Sequence, residues 1–133
     1  MNQKELDRLR SWPLHHAWGV QSIHAEEGES TLNVEVSDEM SNPVGALHGG
    51  IIYALCDVAA YSALLSIIDE SESGVTHQIN VQILRPVAIG AALSLKGSVV
   101  KRGRSLAFIE VKGCVNNKVV ASATVTKSMI KTA

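Results

Sequence analysis

Apolar and polar positions along this chain repeat with two different periods. Between 31 and 37 they alternate, with Leu32, Val34 and Val36 set against polar neighbours, the mark of a strand with one buried face. Residues 78–84 alternate again, Ile79, Val81 and Ile83 against Gln78, Asn80 and Gln82, and Arg85-Pro86 ends that strand because proline cannot donate to a ladder. Further strands are expected near 17–25, 91–101, 105–115 and 118–128. Turns fall at 26–29, Gly103 and Asn116-Asn117, where Gly and Asn tolerate the left-handed backbone of tight hairpins. Residues 69–74 read as a polar loop. Alternation fails only in the middle. After His48-Gly49-Gly50 the chain runs apolar to 68 without an internal Pro or Gly, too long for a strand, which predicts a helix over 48–68. That helix is apolar on nearly every face, as expected of one wrapped on all sides by protein. Residues 2–10 carry alternating charges and predict a short helix ending before Trp12-Pro13. A hairpin, one long helix and four more strands make an α+β fold, a curved antiparallel sheet wrapped around the helix.

Inside the central helix stands one charge, Asp57. Its neighbours at i±3 and i±4 are Tyr53, Ala54, Ala60 and Tyr61, so no basic side chain of the same helix reaches it. An unpaired carboxylate among Leu55, Cys56 and Val58 would be costly to bury, and burial would make it basic or nucleophilic near neutrality. The bland alternative is a Lys or Arg delivered by another segment. At the helix start, Gly49 and Gly50 present backbone N–H groups that have no intrahelical acceptor. With the positive end of the helix dipole, such donors hold an anion or a carbonyl oxygen gaining charge. Gly49 and Asp57 are eight residues apart, about 12 Å along a helix rising ~1.5 Å per residue. That is too far for both to touch one carbonyl, where contacts of roughly 3 Å are needed. If both act in one reaction, Asp57 must serve the Gly49 of another chain, as in a two-fold pair of antiparallel helices.

The run NPVGALHGGIIYALCD, residues 42–57, resembles the signature of hotdog-fold acyl-CoA thioesterases of the phenylacetic-acid-degradation type, within the 4-hydroxybenzoyl-CoA thioesterase superfamily. Asn42, Gly45, the His48-Gly49-Gly50 triplet and the acidic residue at 57 carry the match. Leu84-Arg85-Pro86-Val87, Gly90 and Arg102-Gly103-Arg104-Ser105 extend it over roughly 15–128. The resemblance implies a hotdog fold and hydrolysis of an aryl- or medium-chain acyl-CoA. It implies that the Gly49 N–H polarises the thioester carbonyl and that Asp57, from the partner subunit, is nucleophile or general base. It gives Asn42 a hold on the substrate carbonyl or water, His48 a supporting hydrogen bond and Thr76 a water-positioning hydroxyl. Gly50 and the turn of Arg102, Gly103 and Arg104 would bind substrate, the arginines meeting coenzyme A phosphates. The minimal active unit would be a homodimer, assembled as a homotetramer. A non-catalytic acyl-CoA-binding hotdog domain is the alternative from another class. A hotdog hydratase ranks below it, since His48 lies six residues after Asn42.

Length and composition narrow the rest. With 133 residues the chain is expected to form a single domain over 1–133, with 1–12 as an extension. Apolar content of 46%, charged content of 19% and a net charge of −1 point to a soluble protein with no pull towards nucleic acid or anionic membrane. Cys56 and Cys114 read as reduced thiols. MNQKELDRLR has no signal-peptide core, and Asp57, Ser62 and Ser66 interrupt the central helix as a membrane span, so a cytoplasmic setting is expected. His15, His16 and His24 lack metal-ligand spacing, and neither metal nor cofactor is expected. His77 departs from the small or acidic residue that the resemblance leads one to expect beside Thr76.

Overall fold

The first hairpin forms where the alternation places it. In the computed structural model, which describes residues 1–131, β1 (Val20–Glu26) and β2 (Glu29–Glu35) pair antiparallel across a turn in which Glu27 and Gly28 both take positive φ. β1 starts later than the expected 17–25 because a second short helix intervenes. The chain opens with α1 (Gln3–Ser11) and α2 (Pro13–Ala17), the proline standing in the first turn where its missing N–H costs nothing. Asn2 caps α1 through the Glu5 N–H (3.1 Å). His15 and His16 each bring a ring nitrogen to 3.0 Å from the α1 carbonyls of Leu9 and Arg10. This histidine pair therefore closes a helix end.

Then come α3 (Gly49–Leu65), β3 (Glu72–Ile83), β4 (Ala92–Arg102), β5 (Leu106–Val115) and β6 (Lys118–Lys131). All strands join one antiparallel sheet in the order β1-β2-β4-β5-β6-β3. The sheet curves around α3, the hotdog arrangement that the resemblance implied. Leu55, Ala59, Ala60, Ala63 and Leu64 of the helix are fully buried against Leu32, Leu95 and Val111 of the sheet. Contact is so close at Gly97 that a Cβ there would stand 2.8 Å from the Ala59 carbonyl oxygen and 2.6 Å from Ser30 Oγ. Ser30 donates to that same carbonyl at 2.6 Å, so glycine is the residue that lets helix and sheet meet.

Three expectations need correcting. The helix ends at Leu65, not 68: Ser66 Oγ donates back to the Ala63 carbonyl (2.6 Å) and accepts from the Gly28 N–H (2.7 Å), which ties the helix end to the hairpin turn. The helix is not wrapped on all sides, for Tyr53 is 46% exposed and the Asp57 side chain 35%. Finally, β3 starts at Glu72, inside the expected polar loop, because β6 continues to Lys131 and pairs with it from there. Its apolar face is only partly covered, Ile79 and Val81 half-buried and Ile83 exposed.

Candidate active site

The open stripe of α3 runs from its amino terminus through Tyr53 to Asp57 and Tyr61, one residue per turn. At the amino-terminal end, His48 is the N-cap and its Nδ1 accepts the Gly50 N–H at 2.9 Å. An accepting Nδ1 leaves the proton of a neutral imidazole on Nε2. The Gly50 amide is therefore already used, and the expected substrate-binding role does not extend to that N–H. The Gly49 N–H makes no hydrogen bond among the described residues. It borders a groove of about 300 Å³ lined by Asn42, Leu47, Gly49, Ile52, Ile83 and Arg85.

The loop before the helix is shaped by Asn42. Its Oδ1 accepts from the Val44 and Ala46 N–H groups (3.1 and 3.0 Å), and Gly45 takes φ +83° to close the turn. The carboxamide oxygen is spent on the loop, which leaves the Nδ2 donor for any carbonyl in the groove.

Asp57 sits further along the helix in a different setting from the lone carboxylate the sequence suggested. Lys127 of β6 reaches it, Nζ to Oδ1 2.8 Å, and Thr76 of β3 donates to it, Oγ1 to Oδ1 2.7 Å and to Oδ2 2.9 Å. Lys127 also donates to Thr76 Oγ1 at 2.9 Å, and its ammonium lies 4.9 Å from the Tyr61 ring centroid. The carboxylate is thus paired and half-exposed, so the premise of an unpaired, desolvated acid does not hold. The burial falls on its partner instead. Only 4% of the Lys127 side chain is exposed, and burial pulls its pKa below the ordinary lysine value while Asp57 pulls the other way. Tyr61, half-buried beside it, is raised by burial, against the Gly74 N–H that its hydroxyl accepts (3.3 Å). Cys56 faces the core, and burial, with the Asp57 charge adding to it, pushes its thiol up to about 12. Such a thiol is no nucleophile.

Thr76 faces Asp57 because of a local irregularity. The β3–β6 register slips between Thr76 and Gln78, leaving His77 as the extra residue of a bulge. His77 Nδ1 then lies 3.4 Å from Ser128 Oγ, on the strand's own surface. In the basic turn, Arg102 pairs with Glu72 of β3, the Gly103 N–H closes the turn on the Leu106 carbonyl (2.8 Å), and Arg104 is exposed. Of the two arginines, then, Arg104 is the uncommitted one.

The structure brings Asp57 to Thr76 and brings Asn42 and Gly49 to one groove, but it does not bring these two groups together within a chain. Lys127 is the residue the sequence reading missed. Its signal was present: 121, 123, 125, 127 and 129 are the alternate positions of β6, and Ala121, Ala123 and Val125 are buried, so a lysine at 127 falls on the core-facing phase. Among the described residues no group of three or more His, Cys, Asp or Glu is placed to hold a metal ion.

A family model of the thioesterase superfamily matches residues 44–122, more than half of the chain, and the chain belongs to that superfamily. Acyl-coenzyme A thioesterase 13 of Homo sapiens is 28% identical over 109 residues, covering 80% of this chain and 77% of the relative. A Streptococcus mutans protein solved bound to acetyl CoA is 27% identical, with TM-score 0.77 over 84% of this chain and 91% of its own. The PaaI protein from the phenylacetic acid degradation operon of E. coli shares the fold at TM-score 0.87 and 22% identity, over 98% of this chain and 94% of its own. The thioesterase superfamily together with a relative named acyl-coenzyme A thioesterase makes the chain a thioester hydrolase.

Proposed function

We propose that this thioesterase hydrolyses aryl- or medium-chain acyl-CoA to the free acid and CoA at a site shared between two subunits. One observation carries the reading: α3 exposes a free Gly49 N–H and, about 12 Å further on, a half-exposed Asp57, too far apart for one carbonyl. A second antiparallel copy of the helix would set each Asp57 against the other chain's Gly49 groove. β3 favours such a copy, since among the described residues it pairs only with β6 and leaves its outer edge open, with Val75 and Ile83 52% and 40% exposed. The homodimer is then the minimal active unit, and pairing of dimers gives the homotetramer. The named relative that hydrolyses acyl-CoA and the one bound to acetyl CoA support the substrate class.

In this site the thioester carbonyl lies in the groove, its oxygen towards the Gly49 N–H and the Asn42 Nδ2 group. The partner's Asp57 takes one of two parts. As general base it accepts a proton from water while that water attacks the carbonyl; as nucleophile it attacks directly and forms an anhydride that water then cleaves. In both, the C–S bond breaks as the oxyanion collapses, and the CoA thiolate leaves with the electron pair and takes up a proton. His48 orients the helix start. Arg104 is the phosphate contact, Arg102 acting only if it leaves Glu72. Among the described residues no helix is long and apolar enough to cross a membrane. The near-neutral charge and the two free cysteines are what support a cytoplasmic setting without a nucleic acid partner.

Mixed dimers test the shared site. One chain carries Asp57→Asn and the other Gly49→Pro. Proline fits there, because His48 already has the extended backbone (ψ 129°) that a residue before proline needs, and a Cβ at 49 meets only the Ile83 Cδ1 tip, at 3.2 Å. Each homodimer should be inactive towards an acyl-CoA panel read by free-thiol release. The mixed dimer, with one native site, should recover about half of the wild-type rate. An assembled mixed dimer as inactive as its folded parents refutes the shared site.

A further inference from the structure

Lys127 is an unusual choice for a core-facing position. Burying an ammonium is expensive, and a well-packed hydrophobe in its place is often neutral or stabilising. Its surroundings show what the charge does. On β6 it is the cross-strand partner of Thr76 on β3, and its side chain reaches Asp57 of α3. Its ammonium has three donors and no acceptor. One goes to Asp57 Oδ1 and one to Thr76 Oγ1, while the cation lies over the Tyr61 ring.

These contacts fix a direction that the threonine alone would not have. Because Lys127 only donates, the Thr76 oxygen must accept from it, and the Thr76 proton is left to point at the carboxylate. Oδ1 then receives both Lys127 (2.8 Å) and the shorter arm of Thr76 (2.7 Å), while Oδ2 receives only the longer arm (2.9 Å). The carboxylate is held mainly through Oδ1, and Oδ2 keeps only the single longer contact in a side chain that is 35% exposed.

We infer that Lys127 is a positioning residue for the proposed reaction: its ammonium saturates Oδ1 of Asp57 and sets the hydroxyl of Thr76, so that Oδ2 is the oxygen that meets water or the thioester carbon. This rests on the reading that Asp57 acts in hydrolysis. Lys127 touches neither substrate nor reacting atom. It acts by holding the carboxylate in one orientation, and misplacement of a reacting group by about 1 Å can cost on the order of 100-fold in rate.

The test compares Lys127→Met, Lys127→Arg and Lys127→Ala with wild type and Asp57→Asn, on the acyl-CoA that turns over fastest. Lys127→Met should keep the fold and the assembly, lose about 10- to 100-fold in kcat and leave KM within about twofold, the pattern of an interaction used only in the transition state. Lys127→Arg, which restores the charge, should recover part of the loss. Lys127→Ala should regain turnover saturably when n-propylammonium is added. A Lys127→Met enzyme with wild-type kcat overturns the assignment, as does one whose loss lies wholly in KM. If Lys127→Met does not fold, the amine titration of Lys127→Ala decides, a saturable rise supporting the role and a flat response removing it. Asp57→Asn separates the two levels. If it keeps full turnover, the reading of Asp57 fails and this one with it; if it is inactive while Lys127→Met is fully active, only the positioning role fails.

Discussion

The sheet is finished differently at its two edges. At the β1 edge the strand buries Val20, Ile23 and Ala25 in alternation. The amino-terminal segment packs beside it, and Arg10 Nε donates to the Ile23 carbonyl at 3.0 Å. At the β3 edge no comparable cover is found among the described residues. β3 has no fully buried residue and leaves Val75 and Ile83 open to solvent, although both edge strands carry a register shift. The same end of the molecule holds Asp57, Thr76, Lys127 and the Gly49 groove. One edge is completed by the chain itself, which is one way natural sheets avoid unwanted pairing. The other is left apolar and unpaired beside the polar side chains of the site. The contrast teaches that the site and the open edge belong together.

The sharpest way to break this contrast is at the site. Asp57→Asn should lower kcat by roughly 10²- to 10⁴-fold, the range that general-base catalysis supplies, whereas His24→Ala at the β1 end should change neither kcat nor KM. Asp57→Asn should also melt below wild type, not above it, because Lys127 keeps an acceptor but loses its counter-charge. Steady-state kinetics and thermal melts check both.

Next in size is the edge. Asn80→Lys with Gln82→Lys sets like charges along β3, where a two-fold copy would bring them face to face. Such juxtaposition costs several kcal/mol, on the order of a 100-fold weaker dimer, and activity should fall with dimer content as light scattering reports it. Gln21→Lys with Ser22→Lys on β1 should leave mass and activity as they were. If the β1 pair dissociates the protein and the β3 pair does not, the assembly has been placed on the wrong edge.

A smaller effect is expected from the basic turn. Arg104→Ala should raise KM for an acyl-CoA about fivefold, from roughly 1 kcal/mol of exposed charge contact. It should do nothing for a pantetheine thioester that lacks the nucleotide. Arg102→Ala, which breaks the pair with Glu72 at the start of β3, should lower the melting temperature and affect both substrates alike.

The smallest effect probes depth at the β3 end. At pH 8 a thiol reagent should modify Cys114 and reach Cys56 only after unfolding. The folded chain raises the Cys56 pKa from 9.0 to about 12. Between those values the native state keeps a proton that the unfolded chain has lost, so stability falls as pH rises through that window and the contribution is complete only below pH 9. Cys56→Ser should weaken the alkaline slope of the melting temperature.

Much of the architecture was legible because it is encoded locally. Period-two alternation placed β2 to within two residues, the strands expected near 91–101, 105–115 and 118–128 fall on β4, β5 and β6 to within three, and positive φ at Asn116 and Asn117 is what the turn residues predicted. Asp57 and Gly49 stood out locally, as a charge in an apolar run and a glycine at a helix start, whereas Asn42 and Thr76 were named through the family resemblance. Their partners were not. Lys127 meets Asp57 across 70 residues of sequence, and periodicity marks a lysine as inward-facing without saying what lies opposite. Gly50 and Arg102 looked free for ligand; the N-cap His48, two residues away, takes the Gly50 N–H through Nδ1, and only for Arg102 does the fold bring in a distant partner, Glu72.

By itself, then, the sequence determined most of the helix and strand segments, which faces are apolar and that the central helix carries Gly49 and Asp57, because propensity and periodicity act over a few residues. Tertiary structure decided which groups meet: that Asp57 is paired, that Gly49 keeps its N–H free, and that β3 ends the sheet with an open edge. Those outcomes depend on distances between residues far apart in the chain, and only the packing of the sheet on its helix sets those distances.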